Sequence, residues 1–238
     1  MEIGIIGFGR FGRFAAEILK NDFEVYVCDR KKVPRQREVV VASFDEVARK
    51  PLLLLCVPIS EIQSVCRKLR PLLKEGQLVL DTCSVKEKPL EIMARLLPRS
   101  IEILGTHPLF GPDSAKSGIE GLRIVLCQRR CKKIRKVKEY LEQIGLKVII
   151  TTAERHDREM ANSQALFHFL ARGVAAMQIN LGSLSTPGPS RLFNEFSDVQ
   201  NDSVQLFQDL HKMNRFAKGV RKKLIENLIK IDADLSQE

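Results

Sequence analysis

Three polar stretches of this chain contain residue types that can carry out acid–base chemistry. His107 lies in the first, Gly105-Thr106-His107-Pro108-Leu109-Phe110-Gly111-Pro112, which directly follows the apolar segment 101–104. A neutral imidazole accepts a proton near pH 7, and loops at the ends of strands often carry the reactive groups of enzymes. The glycines and prolines around His107 indicate such a loop, and we therefore predict a functional role for this histidine.

The second polar stretch, Asp81-Thr82-Cys83-Ser84-Val85-Lys86, directly follows the apolar segment 77–80. The third begins at His156 and continues through Ser163 and Gln164 to His168. Gln164 and His168 share one face of a helix, because residues four apart are neighbours on a helix surface. A histidine on an apolar helix is more often a hydrogen-bonded core residue than a catalyst, and we favour that interpretation for His156.

The beginning of the chain predicts the unit that positions these stretches. An apolar run breaks into Gly7-Phe8-Gly9-Arg10-Phe11-Gly12, an amphipathic segment follows, and a second apolar run ends before Asp29. This order is typical of a dinucleotide-binding strand, turn, helix and strand. Gly7 permits the tight turn, Gly9 lets a diphosphate approach the backbone, and Gly12 lets helix and strand pack closely. The diphosphate would bind at the positive end of the helix, and Asp29 would accept hydrogen bonds from a ribose.

This unit predicts a nicotinamide dinucleotide as the cofactor. Asp29 favours NAD because a carboxylate repels the 2′-phosphate of NADP, whereas Arg30, Lys31 and Lys32 could attract that phosphate. We therefore predict NAD and regard NADP as possible. The residues expected to contact the cofactor belong to the turn, to the acid and to two further strand ends: Gly7, Phe8, Gly9, Arg10, Phe11, Gly12, Asp29, Arg30, Val57, Pro58 and Asp81.

The pattern beyond this unit predicts an α/β fold followed by helices. Residues 52–57 form a continuous apolar run, as expected for a parallel strand covered on both faces. Strand-like and helix-like segments alternate as far as residue 150, which predicts a Rossmann-like, doubly wound, mostly parallel sheet in a dinucleotide-binding domain, residues 1–152. Residues 153–238 read as a small all-α domain, with one long helix over 153–181. Its apolar face predicts packing on the sheet domain and homodimer formation through the C-terminal helices.

The composition limits the kinds of partner. The net charge is +10, but the basic residues are dispersed, and the chain has no Trp and two Tyr, which argues against a nucleic-acid partner and leaves a small anionic substrate possible. No apolar run approaches the length of a membrane span, so we expect no membrane partner. The six cysteines lack metal-ligand spacing, so we expect no metal and a reducing compartment. The chain begins almost directly with a strand, and we therefore expect it to be cytoplasmic.

Taken together, these motifs resemble the prephenate/arogenate dehydrogenases of tyrosine biosynthesis, and their form is most similar to the plant-type arogenate dehydrogenases. The resemblance extends from residue 3 to about residue 217. The run from Gly105 to Pro112 and Ser84-Val85-Lys86 are more specific for this family than the glycine turn is. The resemblance implies oxidative decarboxylation of a cyclohexadienol to an aromatic ring, with hydride passing from ring C4 to NAD(P)⁺.

The resemblance also implies roles for individual residues. His107 would take the proton of the C4 hydroxyl of the substrate as hydride leaves, and Ser84 would hold that hydroxyl or orient the imidazole. These two are the predicted catalytic residues. The predicted substrate-binding residues are Thr106, Ser163, Gln164, His168, Lys86 and Arg191.

Two departures from the family pattern leave alternatives open. Bacterial relatives use an arginine of the C-terminal domain to bind a substrate carboxylate, and Ser197 lies near that position here. Arg172, Arg191 or Lys86 could take its place. The C-terminal region is also shorter than is usual in the family. Prephenate and arogenate therefore both stay possible as substrates, and a non-catalytic nucleotide-sensing module is a second possible function.

A third possibility is a hydroxyacid or imino-acid dehydrogenase that also combines a Rossmann domain with C-terminal helices. Such enzymes usually rely on a lysine in the first long helix after the sheet. Residues 153–181 contain no lysine, and this absence argues against the third possibility.

Overall fold

The computed structural model describes residues 1–34 and 37–236. The chain forms two compact units, Met1–His156 and Asp157–Glu238, which are described separately. Within the described residues, every helix is too short or too polar to cross a lipid bilayer.

The first unit is built on one mixed sheet with the strand order β3-β2-β1-β4-β5-β6-β7-β8. The six strands from β3 to β6 in this order are parallel, β7 is antiparallel to β6, and β8 is parallel to β7. The predicted doubly wound, mostly parallel sheet is thereby confirmed. The strands are β1 Glu2–Ile6, β2 Glu24–Cys28, β3 Val40–Val41, β4 Leu52–Leu55, β5 Leu78–Asp81, β6 Glu102–Pro108, β7 Arg123–Arg130 and β8 Lys147–Thr151.

The antiparallel strand β7 was not anticipated from the sequence. A parallel strand pair needs a crossover connection, usually a helix, whereas an antiparallel strand can follow from a loop. The connection 109–122 consists of turns and bends, so β7 returns along β6 in the opposite direction. The helices of this unit are α1 Arg10–Leu19, α2 Phe44–Ala48, α3 Ile62–Leu69, α4 Glu87–Leu96 and α5 Ile134–Gln143.

The strand order reverses beside β1, because β2 lies on one side of it and β4 on the other. Chain connections leave such a point in opposite directions, which opens a crevice at the carboxyl ends of these strands. The central strands are buried on both faces: Ile5, Leu53, Leu55 and Leu104 are all 0% exposed. Burial of each such side chain contributes about 1.5–3 kcal/mol to the stability of the sheet.

The single long helix predicted over 153–181 is present as a continuous helical run over 153–176, but this run contains a π-helical turn. The first helix, α6 Ala153–Met160, runs across the boundary between the units and continues as a π-helical turn, Ala161–Ala165, and as α7 Leu166–Ala176. The side chains of Asn162 and Ser163 donate to the carbonyls of Arg158 and Glu159 at 3.0 and 2.7 Å. They compete with the backbone amides for these carbonyls, which favours a local departure from α-helical bonding.

Three further helices complete this unit: α8 Pro187–Gln200, α9 Val204–Lys212 and α10 Ala217–Leu235. The turn before α10 is held by Asn214, which is 2% exposed and donates through Nδ2 to the carbonyl of Asp157 at 2.7 Å. Ser203 caps α9, because its hydroxyl accepts a hydrogen bond from the amide of Leu206.

Candidate active site

The glycine turn between β1 and α1 has the geometry expected for binding a diphosphate. Gly7 has a φ of +97°, and a Cβ atom there would lie 2.4 Å from the carbonyl oxygen of Cys56. A Cβ atom at Gly12 would lie 2.0 Å from the carbonyl oxygen of Gly7, whereas one at Gly9 would meet no described atom within 4 Å. Gly7 therefore allows the tight turn, and Gly12 allows the close packing of the helix. Gly9 leaves open space beside the helix N-terminus.

A cavity of about 870 Å³ opens at this turn, at the reversal point of the sheet. Six predicted cofactor contacts line it: Gly7, Gly9, Asp29, Arg30, Val57 and Pro58. It also contains Lys31, Ser43, Glu61 and Lys68, which were not among the predicted contacts. Its size is that of a typical small-molecule pocket. The open position at Gly9 and the cavity together fit a dinucleotide.

Asp29 lies at the end of β2, on the wall of this cavity. One carboxylate oxygen accepts from the amide of Phe8 at 2.6 Å, and the other accepts from the amide of Lys31 at 2.8 Å. A carboxylate offers about four lone pairs, so two of them stay available for the hydroxyls of a ribose. Arg30 is 77% exposed in its side chain and lies 3.4 Å from Glu61, which makes its ion pair weak.

Other predicted cofactor contacts lie outside the lining of this cavity. Phe8 is buried in the core, and Phe11 packs against the same core, so neither aromatic ring is presented to a ligand. Gly12 is buried under the turn. Arg10 forms an ion pair with Asp113, with 2.5 Å between guanidinium and carboxylate, and this cation lowers the pKa of Asp113.

The Arg10–Asp113 pair connects the loop that follows β6 with the first turn of α1. Phe110 of the same loop contacts Phe14 of α1 edge to face, with 6.2 Å between the ring centres. Two contacts thus hold the loop next to His107 against the helix whose N-terminus would carry the diphosphate. The loop that follows the expected reactive group therefore lies against the helix of the expected cofactor site.

Lys86 requires a correction. We predicted that it binds substrate, but its side chain is 0% exposed and its ammonium donates to a carboxylate oxygen of Asp81 and to the carbonyl of Thr106. Thr106 is 3% exposed, and its hydroxyl donates to the carbonyl of Asp81 at 2.6 Å. Asp81 and Thr106 are therefore also parts of an internal network and not exposed ligands, and this network joins the end of β5 to β6.

His107 lies within β6 and is buried, so it does not lie in the loop that we predicted, and its ring contacts a second imidazole. Its Nδ1 lies 2.8 Å from Nε2 of His156, and the two rings are 3% and 2% exposed. Burial, the neighbouring His156 and Lys86 hold the pKa of His107 well below the usual 6.5. His107 is therefore a neutral base at pH 7, with one ring nitrogen bonded inside the protein.

His156 is a buried, hydrogen-bonded histidine, as we favoured, and a histidine in such a position can also orient a reactive one. Ser84 is half-buried in the loop that follows β5, and β5 pairs with β6, so it lies at the same sheet edge as His107. No hydrogen bond joins these two side chains within the described part of the chain. The contact between His156 and His107 could not be predicted from the sequence around His156, because the two histidines are 49 residues apart.

In the helical unit, the predicted substrate-binding residues differ in burial. Ser163 is exposed and donates to Glu159, and Arg191 is exposed on α8. His168 is 5% exposed, and burial lowers its pKa, although Asp202 nearby opposes this shift. Gln164 is half-buried one turn before His168. Gln164 and His168 thus lie four residues apart on the helix and are at least half-buried, whereas Ser163 and Arg191 are exposed.

The reversed strand order, the glycine turn and the cavity beside it define a dinucleotide-binding domain of the Rossmann type. The model of the prephenate dehydrogenase nucleotide-binding domain matches residues 15–150, which is more than half of the chain. This chain belongs to the prephenate dehydrogenase family, as its motifs indicated. Residues 174–238 match the model of a TYRAAT1-like C-terminal domain.

Individual relatives agree with this assignment. The chain is 28% identical to arogenate dehydrogenase 2, chloroplastic, of Arabidopsis thaliana, over 90% of this chain and 64% of that protein. It is also 28% identical to a probable arogenate/prephenate dehydrogenase of Methanocaldococcus jannaschii, over 94% of this chain and 54% of that protein. It therefore spans less than two thirds of these curated relatives.

A solved structure shows the same fold. The prephenate dehydrogenase of Aquifex aeolicus, in complex with hydroxyphenyl propionate and NAD⁺, superposes with a TM-score of 0.73 at 21% sequence identity. The match covers 98% of this chain and 92% of that one. The combination of a Rossmann-like sheet with C-terminal helices is thereby confirmed.

Proposed function

We propose that this protein catalyses the NAD(P)-dependent oxidative decarboxylation of prephenate or arogenate, a step of tyrosine biosynthesis. The observation that carries the proposal is the buried pair of His107 and His156 on a family member's nucleotide-binding domain. The nicotinamide would supply the hydride acceptor. Relatives named arogenate or prephenate dehydrogenases support the choice of substrates.

His107 would act as the general base of this reaction. As hydride leaves ring C4, the C4 hydroxyl loses its proton to the imidazole, the carbonyl forms, and the bond from C1 to the carboxylate breaks with loss of CO₂. The electrons of that bond complete the aromatic ring, and the carbonyl oxygen becomes a phenolate that takes the proton back from His107. Aromatisation supplies the driving force. A positioned base of this kind contributes about 10²–10⁴-fold to the rate. Ser84, at the same sheet edge, would hold the hydroxyl or orient the imidazole.

The direct test of this reaction is its stoichiometry. We expect one CO₂ and one reduced cofactor for each aromatic product formed from the accepted substrate. Reduction of the cofactor without CO₂ release would indicate a simple alcohol dehydrogenase, and binding of the cofactor without either product would support the nucleotide-sensing alternative.

NAD is the proposed cofactor, and NADP the second choice. Asp29 supports NAD, because two lone pairs of its carboxylate stay available and its charge repels a 2′-phosphate. Lys31 and Lys68 also line the cavity and would favour the more negative cofactor. The carboxylate is fixed by two backbone amides, whereas lysine side chains are flexible, and we therefore give more weight to Asp29.

Replacement of Gly9 by Val should reduce NAD⁺ affinity by about 100-fold or more and leave the stability of the fold within about 0.5 kcal/mol. The added side chain meets no described protein atom, but it stands where the diphosphate would approach the backbone. Calorimetric titration with NAD⁺ and denaturant unfolding measure the two effects. Gly219→Val, at another open glycine on α10, is the matched control. Unchanged affinity in Gly9→Val would place the diphosphate elsewhere.

His156 would fix the tautomer of His107. For Nε2 of His107 to accept a proton, its Nδ1 must carry hydrogen and donate it to Nε2 of His156, 2.8 Å away. If the direction of this bond were reversed, Nε2 of His107 would carry hydrogen and could not act as a base. His156 is therefore proposed as a positioning residue.

His156→Leu, which removes the acceptor, should lower kcat by about 10- to 100-fold, whereas His156→Gln, which keeps an acceptor oxygen, should retain most activity. Because repulsion from His156 contributes to the lowered pKa of His107, both variants should move the acid limb of kcat/KM to higher pH. Rate measurements from pH 5 to 8 check both effects. Equal values of kcat for His156→Leu and His156→Gln, together with an acid limb of kcat/KM at the wild-type pH, would mean that His156 only packs against His107.

We also propose a homodimer formed through α10. Its apolar side chains Leu224, Leu228, Ile231 and Leu235 follow alternating steps of four, three and four residues, which is the spacing of a coiled-coil seam. Leu228, Ile231 and Leu235 are 51%, 55% and 79% exposed within the single chain. A stripe of this spacing suits a second copy of the same helix.

Leu228→Glu should shift this dimer to monomer at micromolar concentration, because a carboxylate in the seam cannot be buried without a partner. Sedimentation velocity measures the change, and Lys222→Glu, on an exposed position of the same helix, serves as the control. A dimer that survives Leu228→Glu would exclude α10 as the interface. A cytoplasmic location stays a prediction.

A further inference from the structure

A basic and an acidic side chain meet at the cavity beside the glycine turn. Arg30 follows the end of β2, and Glu61 ends the 3₁₀ turn that leads from β4 into α3. Ile6 of β1 pairs with Cys28 on one side and with Leu55 on the other, so both segments leave the sheet at the same level. Nη1 of Arg30 lies 3.4 Å from Oε1 of Glu61, and both residues line the cavity.

The Glu61 carboxylate has a second contact, with the first turn of α3. The Ser64 hydroxyl lies 3.2 Å from Oε2 of Glu61 and 3.1 Å from the carbonyl oxygen of the same residue. One carboxylate oxygen thus contacts Arg30 while the other contacts Ser64. These two contacts limit the freedom of the Glu61 side chain and keep its charge beside the guanidinium.

The pair contributes little to the stability of the fold, because its side chains are 77% and 42% exposed. Its place suggests a role in ligand binding instead. Arg30 directly follows Asp29, whose carboxylate would bind the adenosine ribose. In dinucleotide-binding domains, an arginine near this acid accommodates the 2′-phosphate of NADP. Glu61 therefore occupies the guanidinium that is best placed for this phosphate.

The charges along the cavity are balanced. Among the described residues that line it, three carry a negative charge and three a positive charge: Asp29, Asp45, Glu61, Arg30, Lys31 and Lys68. A 2′-phosphate adds about two negative charges near neutral pH. Loss of one carboxylate from this lining would therefore shift the balance towards the more negative cofactor.

We propose that Glu61 determines the preference for NAD over NADP, because it occupies the guanidinium of Arg30 and adds a second carboxylate to the cavity wall. This inference rests on the proposed function, in which Asp29 supports NAD. Asp29 repels the 2′-phosphate directly, whereas Glu61 acts mainly on the arginine that would otherwise bind it. The effect of Glu61 therefore requires Arg30.

The test compares NAD⁺ and NADP⁺, which differ only in the 2′-phosphate, by calorimetric titration. In Glu61→Gln we expect the affinity for NADP⁺ to rise about 5- to 20-fold and the affinity for NAD⁺ to change by less than about 3-fold. Glutamine keeps an oxygen that Ser64 can contact and removes only the charge. Because the effect is electrostatic, the rise should be smaller at about 0.5 M salt.

Arg30→Met separates this mechanism from a general loss of negative charge. In the wild-type background, this substitution should change the affinity for NADP⁺ by less than about 3-fold, because Glu61 already occupies the guanidinium. In the Glu61→Gln background, it should cancel most of the rise. Glu91→Gln, which removes the charge of an exposed pair with Lys88 on α4, is the matched control and should bind both cofactors like the wild type.

An unchanged ratio of the two affinities in Glu61→Gln, an equal rise for both cofactors, or a rise that persists without Arg30 would overturn the inference. A wild type that binds neither dinucleotide would also overturn it.

The proposed reaction can fail separately. A wild type that reduces neither cofactor with prephenate or arogenate, while Glu61→Gln still gains affinity for NADP⁺, would remove the reaction and leave the role of Glu61. A wild type that turns over substrate, with the same ratio of affinities in Glu61→Gln, would leave the reaction and remove the role of Glu61.

Discussion

His107→Asn should reduce turnover at least about 100-fold while NAD⁺ affinity stays within about 3-fold of the wild type. Asparagine retains a polar group near Nδ1, so the contact with His156 can persist, but it has no basic nitrogen at the position of Nε2. Only the proton transfer is lost, since the lining of the cavity at the glycine turn does not include residue 107. Steady-state rates measure the turnover, and calorimetric titration measures the affinity for NAD⁺.

The pH dependence of the wild type tests the same base. Burial, His156 and Lys86 lower the pKa of His107 well below 6.5, so the imidazole stays neutral as the pH falls through the ordinary titration range of histidine. The acid limb of kcat/KM should therefore lie below pH 6.5. Turnover in His107→Asn equal to that of the wild type would remove His107 from the chemistry.

Lys86→Met should lower the free energy of unfolding by about 3–5 kcal/mol. The Asp81 carboxylate and the Lys86 ammonium are both 0% exposed, and removal of the ammonium leaves an uncompensated charge in the core. The carbonyl of Thr106 loses its donor as well. Denaturant unfolding measures the change, and the proximity of Thr106 to His107 predicts reduced turnover in any folded fraction.

The double variant Asp81→Asn with Lys86→Met should recover most of this loss, because it removes both charges together. Lys88→Met breaks an exposed pair with Glu91 on the same helix and should cost no more than about 1 kcal/mol. A loss below about 1 kcal/mol in Lys86→Met would mean that the buried pair contributes nothing to the stability of the fold.

The sheet and its glycine turn could be predicted because their signals are local. The continuous apolar run at 52–57 and the spacing of Gly7, Gly9 and Gly12 each record a nearby packing constraint. The antiparallel β7 was missed because strand direction depends on the connection before it. The π-helical turn was missed because it depends on two side chains that compete for carbonyl groups.

The candidate site was predictable in its residue types and less so in its contacts. His107 could be singled out from the glycines and prolines around it, although these predicted a loop and the residue lies on β6. Its contact with His156 joins residues that are 49 positions apart, and the buried ammonium of Lys86 donates to the carbonyl of Thr106, 20 positions away. Residue patterns show which face of an element is apolar, but they do not show which side chain of another element lies opposite.

The central claim is tested most directly by the formation of reduced nicotinamide when prephenate and arogenate are each combined with NAD⁺ and with NADP⁺. We predict sustained reduction of NAD⁺ with at least one of the two substrates and slower reduction of NADP⁺. In His107→Asn, the rate of reduction of each cofactor should be at least about a hundredfold lower. Binding of NAD⁺ without reduction in any of the four combinations would contradict the account.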